Sequence, residues 1–390
     1  MGRDRPARAG DPRADERLGF PRVIRLFENE AQLAPLREEI AARVAEVLEH
    51  HRFILGPEVG AFERELADYL GVRHVVGVAN GTDAITIALR ALGIEPGDEV
   101  VVPSFTFYAS VEAVATAGAT PVFCDVDPET RNLTPDTVRA VLTPHAKAII
   151  AVDLFGSPAP VPELRELGLP VLEDAAQAAG ASLGGTNAGA LGDVATLSFY
   201  PSKNLPCFGD GGAVMTDDDA IADRARMLRF HGSRDKQTFT EVGYNSRLDE
   251  LQAAILRVML PHLDAWSDGR RSAADAYAAA GLGENVGLPA LVDGANAAWH
   301  LYVVAHPRAD ELIAHLGEHG IESRAYYRTP THRQPAMAGY PSADLPGTDE
   351  IARTNLALPM GAGLDAARVD EVVAAVAHAC AELGARENRG

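Results

Sequence analysis

The sequence has few cysteines, no long apolar run and no dinucleotide fingerprint, and each absence excludes a class of protein. Its three cysteines, Cys124, Cys207 and Cys380, are widely spaced and odd in number. They predict neither a disulfide framework nor a metal site, and they fit the reducing cytoplasm. No apolar stretch reaches the length that crosses a bilayer, and no Gly-x-Gly-x-x-Gly opens the first predicted strand–helix unit. We therefore expect no membrane partner and no nicotinamide site of that type.

Positive charge is also scarce in this chain. Its 390 residues carry a formal net charge of −20 at pH 7, which argues against nucleic acid or an anionic membrane as the main partner. An anionic small ligand is still compatible, because the local field in a cleft can differ in sign from the total. Apolar residues make up 47% and charged residues 23% of the sequence. This composition is typical of a globular protein, and the length allows two domains.

The order of the segments predicts three parts. Residues 1–21 are rich in Arg, Asp, Gly, Pro and Ala, which predicts a disordered extension. Residues 22–265 start with two amphipathic helices and then alternate short apolar strands with helices, which predicts an α/β domain with a mostly parallel sheet. Residues 266–390 predict a small α+β domain, with strands at His300–Val304 and Ile321–Ala325, an irregular loop and a final helix. Ligands of such parallel sheets bind at the carboxyl ends of the strands.

The stretch SFYPSKN, residues 198–204, follows a predicted strand and carries the first candidate residues. A lysine at the end of a buried strand has its pKa lowered by desolvation, and a neutral amine can form an imine with a carbonyl group. Ser198, five positions before Lys203, adds a hydroxyl that can donate to a phosphate. On its own, the stretch fits a loop lysine that only solubilises a turn equally well.

Three other predicted strand ends carry candidate residues. Gly81 and Thr82 lie where a helix is predicted to begin. This turn fits either a phosphate cradle or a plain capped helix start. Asp174 ends a buried strand, with Gln177 three residues further on. The Asp174 carboxylate fits either of two roles: a partner for a protonated ring nitrogen, or a cap of the next helix. Phe107 predicts either a ring that stacks on a flat cofactor or ordinary core packing.

Asn245 and Arg247 precede a long predicted helix. The position of Asn245 fits a cap of this helix. Arg247 fits either a surface charge or a clamp for a carboxylate or phosphate. Each candidate has a structural explanation when it is considered alone. Together, however, they provide an imine-forming lysine, an acid for a ring nitrogen, a stacking ring and a phosphate cup at successive strand ends of one sheet. That combination is what pyridoxal 5'-phosphate requires.

Six pieces of the sequence, in this order, resemble the DegT/DnrJ/EryC1/StrS family of sugar aminotransferases: ANGTDAI, GDEVVVPSFTFYAS, VLEDAAQA, SFYPSKN, GDGGAVMT and GYNSRLDELQAAIL. The resemblance runs from about Leu26 to the C-terminus, so it covers nearly all of the predicted folded chain. It implies the pyridoxal-phosphate fold type I, in which a large domain of the aspartate-aminotransferase type is followed by a small C-terminal domain.

The resemblance implies a role for each candidate near the cofactor. Lys203 would carry pyridoxal phosphate as an internal aldimine, and Asp174 would pair with the ring nitrogen. Gln177 would lie near the ring hydroxyl, and Phe107 would stack on the ring. The residues that would hold the phosphate are Gly81, Thr82 and Ser198.

The resemblance also implies residues that act beyond one subunit or on the substrate. Asn245 would reach the phosphate of the neighbouring subunit, and Arg247 would cross the same interface towards the substrate. The active unit implied is therefore a homodimer with shared sites. Tyr327 and His332 match the family's substrate-side loop.

The activity implied by the resemblance is the transfer of an amino group from an amino acid, with L-glutamate expected, to a nucleotide-linked keto sugar. SFYPSKN with GDGGAV is similar to the branch that acts on 3-keto sugars, and a 4-keto sugar is the alternative. The alternative from another class is a non-catalytic regulator of the same fold, against which the intact Lys203 and Asp174 argue. A dehydratase of the family would have histidine in place of Lys203. Departures at Pro206, Arg328 and Thr331 leave the identity of the sugar open.

Overall fold

The computed structural model of the protein describes residues 23–27 and 29–387, so the predicted extension at residues 1–21 lies outside the described residues. The first helices are α1 (Glu30–Leu33), α2 (Arg37–His50) and α3 (Pro57–Leu70). Pro57 suits the first turn of α3, where its missing N–H leaves no bond unmade. Gly71 ends α3 with a φ of 78°, a left-handed conformation that glycine adopts at low cost.

A seven-stranded sheet forms the centre of the protein. The strands in chain order are β1 (His74–Val78), β2 (Glu99–Pro103), β3 (Thr120–Cys124), β4 (Ala146–Val152), β5 (Val171–Asp174), β6 (Ser182–Leu183), β7 (Thr186–Asn187), β8 (Val194–Ser198) and β9 (Gly212–Thr216). The sheet has the order β1-β9-β8-β5-β4-β2-β3, whereas β6 and β7 belong to a separate small sheet. Within the seven strands, β9 is antiparallel to both of its neighbours and the other pairs are parallel. The prediction of a mostly parallel sheet is therefore confirmed.

Helices cover both faces of this sheet. They include α4 (Gly81–Ala91), α5 (Tyr108–Thr116), α6 (Pro135–Arg139), α7 (Val161–Arg165), α8 (Asp219–Leu228) and α9 (Glu250–Met259). Side chains alternate between the faces of a strand, and in β1 Val76 and Val78 pack in one apolar cluster whereas Val75 packs in a second one. This two-sided burial explains why the strands of the sequence are almost continuously apolar.

The C-terminal part of the chain has its own apolar cluster. Its elements are α10 (Leu263–Ala279), β10 (Ala295–Asn296), β11 (Tyr302–Ala305), α11 (Ala309–Glu318), α12 (Pro346–Thr354), β12 (Asn355–Leu358) and α13 (Ala366–Glu387). The strands β11 and β12 pair antiparallel, and α10, α11 and α13 pack on them through residues such as Tyr277, Leu312 and Val372. The domain boundary at residues 265/266 stays a prediction, because α10 contributes Leu263 to the cluster of the large sheet and Tyr277 to this one.

Two predictions for the C-terminal part are wrong. The strand predicted at 321–325 is absent from the described structure, because Ile321 pairs only with Ile24 and Arg324 only with Ala357, as isolated bridges. A strand needs several successive pairs with one partner, and this segment contacts two different ones. The predicted irregular loop instead contains α12 and β12. Among the described residues, none of the helices has both the length and the apolar character needed to cross a membrane.

Candidate active site

A cavity of about 780 Å³ opens at the carboxyl ends of the central strands. The turns after β1, β2, β5 and β8 contribute to its wall, as expected for ligand sites of parallel sheets. Eight of the eleven residues predicted for the site line it: Gly81, Thr82, Phe107, Asp174, Gln177, Ser198, Lys203 and Tyr327. The fold therefore brings these eight residues together from segments that lie up to 246 positions apart, from Gly81 to Tyr327, and their roles stay predictions.

Lys203 lies in the turn that follows β8, half-buried in the cavity wall. Its backbone N–H donates to the carbonyl oxygen of Tyr200 over 2.8 Å. The next residue, Asn204, is buried and donates from Nδ2 to the carbonyl oxygen of Ala298 over 2.9 Å, which fixes the turn. Burial lowers the pKa of Lys203 to about 8, although the nearby charge of Asp174 opposes that shift. An amine with this pKa is partly neutral at pH 7–8 and can act as a nucleophile or a base.

Asp174 ends β5 and is 4% exposed. Its Oδ2 accepts a hydrogen bond of 2.7 Å from the Ser110 hydroxyl, and its Oδ1 accepts one of 3.2 Å from the N–H of Ala176. Burial raises the pKa of Asp174, whereas the bonds from Ser110 and Ala176 and the charge of Lys203 act in the opposite direction. A buried carboxylate with these donors is suited to pair with a cationic group in the cavity.

The neighbouring Glu173 has a different part in the structure. It is fully buried, and its carboxylate accepts backbone N–H bonds from Gly189 at 2.6 Å, Leu191 at 2.8 Å and Gly192 at 3.1 Å. Successive side chains of a strand point to opposite faces, and Glu173 does not line the cavity. The Glu-Asp pair therefore consists of one residue that anchors a loop and one that faces the cavity.

The turn between β1 and α4 forms a cradle with β8 and β9. Asn80 caps α4, since its Oδ1 accepts from the N–H of Asp83 over 2.8 Å. A Cβ atom on Gly81 would lie 2.7 Å from the Cβ of Ser198, and one on Gly212 would lie 2.5 Å from the carbonyl group of Asn80. Gly212 is required because its backbone approaches that of Asn80, and Gly81 is required because it lies against the Ser198 side chain. The Thr82 and Ser198 hydroxyls and the start of α4 then face one corner of the cavity.

The aromatic residues after β2 divide into a core residue and a cavity residue. Phe105 is 1% exposed, whereas Phe107 is 52% exposed and lines the cavity. The ring of Tyr327 lies 5.9 Å from that of Phe107. Gln177 is oriented by the N–H of Phe155, which donates to its Oε1 over 2.8 Å, so that Nε2 approaches the Tyr327 hydroxyl at 3.5 Å. These side chains form an aromatic wall with one amide donor.

His300 and Ser110 line the cavity but were not among the predicted site residues. His300 is 4% exposed, and burial, together with the charges of Lys203 and Arg270, keeps its pKa well below the ordinary value, so the ring is neutral. It precedes β11, and no local pattern connects it to Lys203. Ser110 lies within a stretch that the sequence analysis did single out, and its spacing of three from Phe107 at a helix start could have indicated a side chain that faces the site.

Three predicted site residues do not line the cavity. Asn245 is exposed and forms a bridge with Phe230, and the Arg247 guanidinium lies 5.9 Å from the Phe230 ring centroid. His332 lies against Ser104, with its Nδ1 2.5 Å from the Ser104 hydroxyl oxygen. Their roles at the interface and towards the substrate stay predictions.

The chain is similar to known proteins over most of its length. It matches the DegT/DnrJ/EryC1/StrS aminotransferase family over residues 35–377. It is 47% identical to the dTDP-3-amino-3,4,6-trideoxy-alpha-D-glucose transaminase of Streptomyces venezuelae, over 92% of this chain and 97% of the relative. It is 44% identical to a protein of Geobacillus stearothermophilus named pleiotropic regulatory protein, over 86% of this chain and 93% of that one.

A crystal structure of S. venezuelae DesV in complex with a ketimine intermediate superimposes on this chain with a TM-score of 0.89. Its sequence is 44% identical, and the match covers 92% of this chain and 99% of that one. This similarity, together with the sheet topology, confirms the predicted fold class. The chain belongs to the DegT/DnrJ/EryC1/StrS aminotransferase family.

Proposed function

We propose that the protein uses pyridoxal 5'-phosphate to move an amino group from L-glutamate to a nucleotide-linked 3-keto sugar. The observation that carries the proposal is the arrangement of Lys203, Asp174 and the Gly81–Ser198 cradle around one cavity. Each of these groups matches one functional group of the cofactor: the aldehyde, the ring nitrogen and the phosphate.

The residues that line the cavity fit the chemistry of the cofactor. Lys203 Nζ has no hydrogen-bond or ion-pair partner within the described part of the chain, so the amine is available for a covalent bond. Asp174 would bind the ring nitrogen, and Phe107 presents an exposed ring face to the cavity. The start of α4, with Thr82 and Ser198, would bind the phosphate. Gln177 Nε2 is the donor on the remaining side.

When bound, the cofactor supplies an electron-poor ring that stabilises negative charge at the donor's α-carbon. The residues of this chain then handle the protons. The Lys203 amine, with its pKa near 8, is suited to take a proton from the donor's α-carbon and to deliver it to the carbon of the cofactor's aldehyde group, which would then carry the amino group. The Asp174 carboxylate, with its donor Ser110, favours a protonated ring nitrogen. Arg324 lines the cavity and provides a positive charge for the carboxylate of the amino donor.

The position of amination is proposed from the relative of known specificity. That transaminase, at 47% identity, is named for a 3-amino sugar carried on dTDP. This supports a 3-keto acceptor over the 4-keto alternative. The homodimer with shared sites and the cytoplasmic location are parts of the same proposal, and the exposed position of Asn245 is compatible with a contact to a second subunit.

Reductive labelling provides a direct test, because the chain has only three lysines, Lys147, Lys203 and Lys236. The protein would be incubated with pyridoxal phosphate, reduced with borohydride and mapped by mass spectrometry. We expect the stable adduct on Lys203, and none there in Lys203→Ala. Turnover would then be measured with glutamate and a panel of dTDP- and UDP-linked 3-keto and 4-keto sugars, with the products identified by NMR. An adduct only on Lys147 or Lys236, or amination only at C4, would contradict the proposal.

A regulatory role is the second candidate, because a relative at 44% identity is named a pleiotropic regulatory protein. A regulator that keeps this cavity would bind the cofactor at Lys203 but form no 2-oxoglutarate with any keto sugar of the panel. The labelling experiment and the turnover experiment therefore separate the two functions.

A further inference from the structure

Three histidines lie together on the surface of the C-terminal part, on the helices that flank its two-stranded sheet. His315 belongs to α11, His319 follows its last residue, and His378 belongs to α13. We call them the histidine cluster. One ring nitrogen from each residue lies within 4.8 Å of those of the other two. The ring centroids are 4.3 Å apart for His315 and His319 and 5.4 Å apart for His315 and His378.

The hydrogen bond of His319 determines which of its ring nitrogens is available. Its Nδ1 lies 2.8 Å from the carbonyl oxygen of His315. A carbonyl oxygen can only accept, so Nδ1 carries the proton and Nε2 presents a lone pair. Metal-binding histidines commonly donate their second ring N–H to a backbone carbonyl in this way, which fixes both the tautomer and the ring orientation.

The surroundings of His315 point to the same arrangement. Its side chain is 12% exposed, and its Nε2 is buried without a hydrogen-bond partner in the described structure. Its Nδ1 faces the carboxylate of Glu382 at 3.8 Å. A buried ring nitrogen without a partner is unfavourable unless a ligand satisfies it, and a carboxylate behind the opposite nitrogen is typical of zinc-bound histidine.

Glu382 also lies beside the third histidine, with its Oε1 3.5 Å from the Nε2 of His378. Glu382 and His378 lie one turn apart on α13, and the Glu382 carboxylate therefore lies between His378 and His315 of α11. It adds negative charge next to three imidazoles, which favours a bound cation.

The spacing of the ligands suits a transition-metal ion. His315 and His319 are four residues apart, so they lie on the same side of the helical turn. Two histidines at this spacing form a known zinc-binding pair. Zinc–nitrogen bonds of about 2.0–2.1 Å place neighbouring ligand nitrogens roughly 3.3 Å apart in a tetrahedron. The ligand nitrogens of the cluster lie within 4.8 Å of one another, at most about 1.5 Å more than this. Side-chain rotations of the exposed His319 and His378 can close the difference.

We propose that the histidine cluster, with Glu382 beside it, binds one Zn²⁺ ion and thereby fastens α13 to α11. Imidazole ligands with a carboxylate nearby suit zinc better than magnesium or calcium, which prefer oxygen. The ligands come from two helices and are separated by 59 positions between His319 and His378. For this reason the sequence analysis, which considered cysteine spacing, expected no metal site. The proposal is independent of the cofactor site and of the sugar substrate.

The test uses the full chain, with its cofactor and without an appended polyhistidine tag. The protein would be treated with a chelator, and Zn²⁺ would be added in a calorimeter and against a fluorescent zinc indicator. We expect one Zn²⁺ per chain with a Kd of about 1 µM or tighter. Each of His319→Ala and His378→Ala should weaken binding by at least about tenfold. Both side chains are exposed, so neither substitution threatens folding. His145→Ala, at an exposed histidine on another part of the chain, is the matched control.

Two further measurements distinguish the cluster from other zinc sites. Zn²⁺ should raise the thermal unfolding temperature of the wild type and of His145→Ala but not of the His319→Ala/His378→Ala double variant. Co²⁺ added in place of Zn²⁺ should give the intense visible bands of a four-coordinate site, and the double variant should lose them. Equal Zn²⁺ affinity in the double variant would place the ion elsewhere and overturn the proposal. So would a wild type that binds no Zn²⁺ at concentrations up to about 100 µM.

Discussion

The Ser110 hydroxyl donates a hydrogen bond of 2.7 Å to Oδ2 of Asp174, and this bond connects the first turn of α5 to the end of β5. Both side chains are nearly inaccessible to solvent, so the bond replaces water as a donor to the carboxylate. This bond favours the ionised form of Asp174, whereas burial favours the neutral form and raises the pKa.

Ser110→Ala should shift the pH dependence of the reaction. The lost donor favours the neutral carboxyl, so the pKa of Asp174 rises further above its ordinary value. The ionised form is populated above that pKa, and the acidic limb of kcat/KM should move to higher pH by about one unit. Ser110→Thr, which keeps the hydroxyl, is the control and should retain the wild-type profile. An unchanged acidic limb in Ser110→Ala would show that this bond does not control the ionisation that limits activity.

Glu173 and Asp174 should respond to substitution in opposite ways. Glu173→Ala leaves the N–H groups of Gly189, Leu191 and Gly192 without an acceptor, and we expect the free energy of unfolding to fall by about 3–5 kcal/mol. Asp174→Asn keeps one oxygen as the acceptor for the N–H of Ala176, its NH₂ group can donate to the Ser110 hydroxyl, and the buried charge is removed. Its stability should change by less than about 1 kcal/mol, but turnover should fall at least about a hundredfold.

Urea unfolding and steady-state turnover, measured on both variants, decide this point. Glu173→Gln retains one carbonyl acceptor and should be intermediate in stability. If Glu173→Ala were as stable as the wild type, or if Asp174→Asn were the unstable variant, the division of the two acids between structure and chemistry would be wrong.

Lys203 should make the cofactor-free protein less stable at neutral pH. Its pKa is about 8 in the folded protein, compared with 10.5 for a free lysine, so the unfolded chain binds more protons between these two values. The free energy of unfolding therefore rises with pH across this window, and the full cost of the lysine is present below pH 8. Lys203→Met should increase the free energy of unfolding by about 2 kcal/mol at pH 7. The gain should shrink as the pH approaches 10.

Urea unfolding of the cofactor-free protein at pH 7 and pH 9.5 measures this dependence. Lys147 is exposed, so Lys147→Met controls for the removal of one positive charge. A stability gain in Lys203→Met that did not change with pH would instead indicate better apolar packing.

The sequence predicted residues that line one cavity where each of them lies at or just after a strand end. Asp174 is the last residue of β5, and the turns that carry Lys203 and Gly81–Thr82 follow β8 and β1. Parallel strands bring their carboxyl ends to the same edge of the sheet. The local pattern and the fold class together were then sufficient to place them near each other. The same logic failed for the strand predicted at 321–325, because its pairing depends on Ile24 and Ala357, which are far away in sequence.

Residues that enter the cavity from outside this pattern could not be predicted. His300 reaches it from the segment before β11, and its neutral state results from burial beside Lys203 and Arg270, which only the folded chain creates. Phe105 is buried and Phe107 is exposed, although they lie only two residues apart in the same stretch. Tertiary packing, not the local sequence, therefore determines which of the two rings faces the cavity.

Gly81→Ala should impair the phosphate corner of the cavity. The added Cβ would lie 2.7 Å from that of Ser198, so the turn must move away from β8. We expect a loss of about 1–3 kcal/mol in stability and at least about a tenfold loss in affinity for pyridoxal phosphate, followed by absorbance titration. Gly81→Ala/Ser198→Gly removes the clash and should recover stability but not affinity, because the Ser198 hydroxyl is lost. Wild-type affinity in Gly81→Ala would argue against a cradle at this turn.

Shared active sites predict that two inactive variants can complement each other. Asn245 is exposed and does not line the cavity of its own chain, so Asn245→Asp should place a negative charge against the phosphate bound by a partner subunit. Lys203→Ala removes the amine from its own cavity. In a mixed dimer one site would then carry both defects and the other neither. Co-expression with distinct affinity tags, or mixing after mild denaturation, should restore about a quarter of wild-type activity under random pairing. If each site were built from one chain, both sites of the mixed dimer would be defective and activity would stay at the level of the separate variants.

Mixing Lys203→Ala with Asp174→Asn is the matched control, because both residues line the cavity of their own chain. That pair should show no recovery under either arrangement.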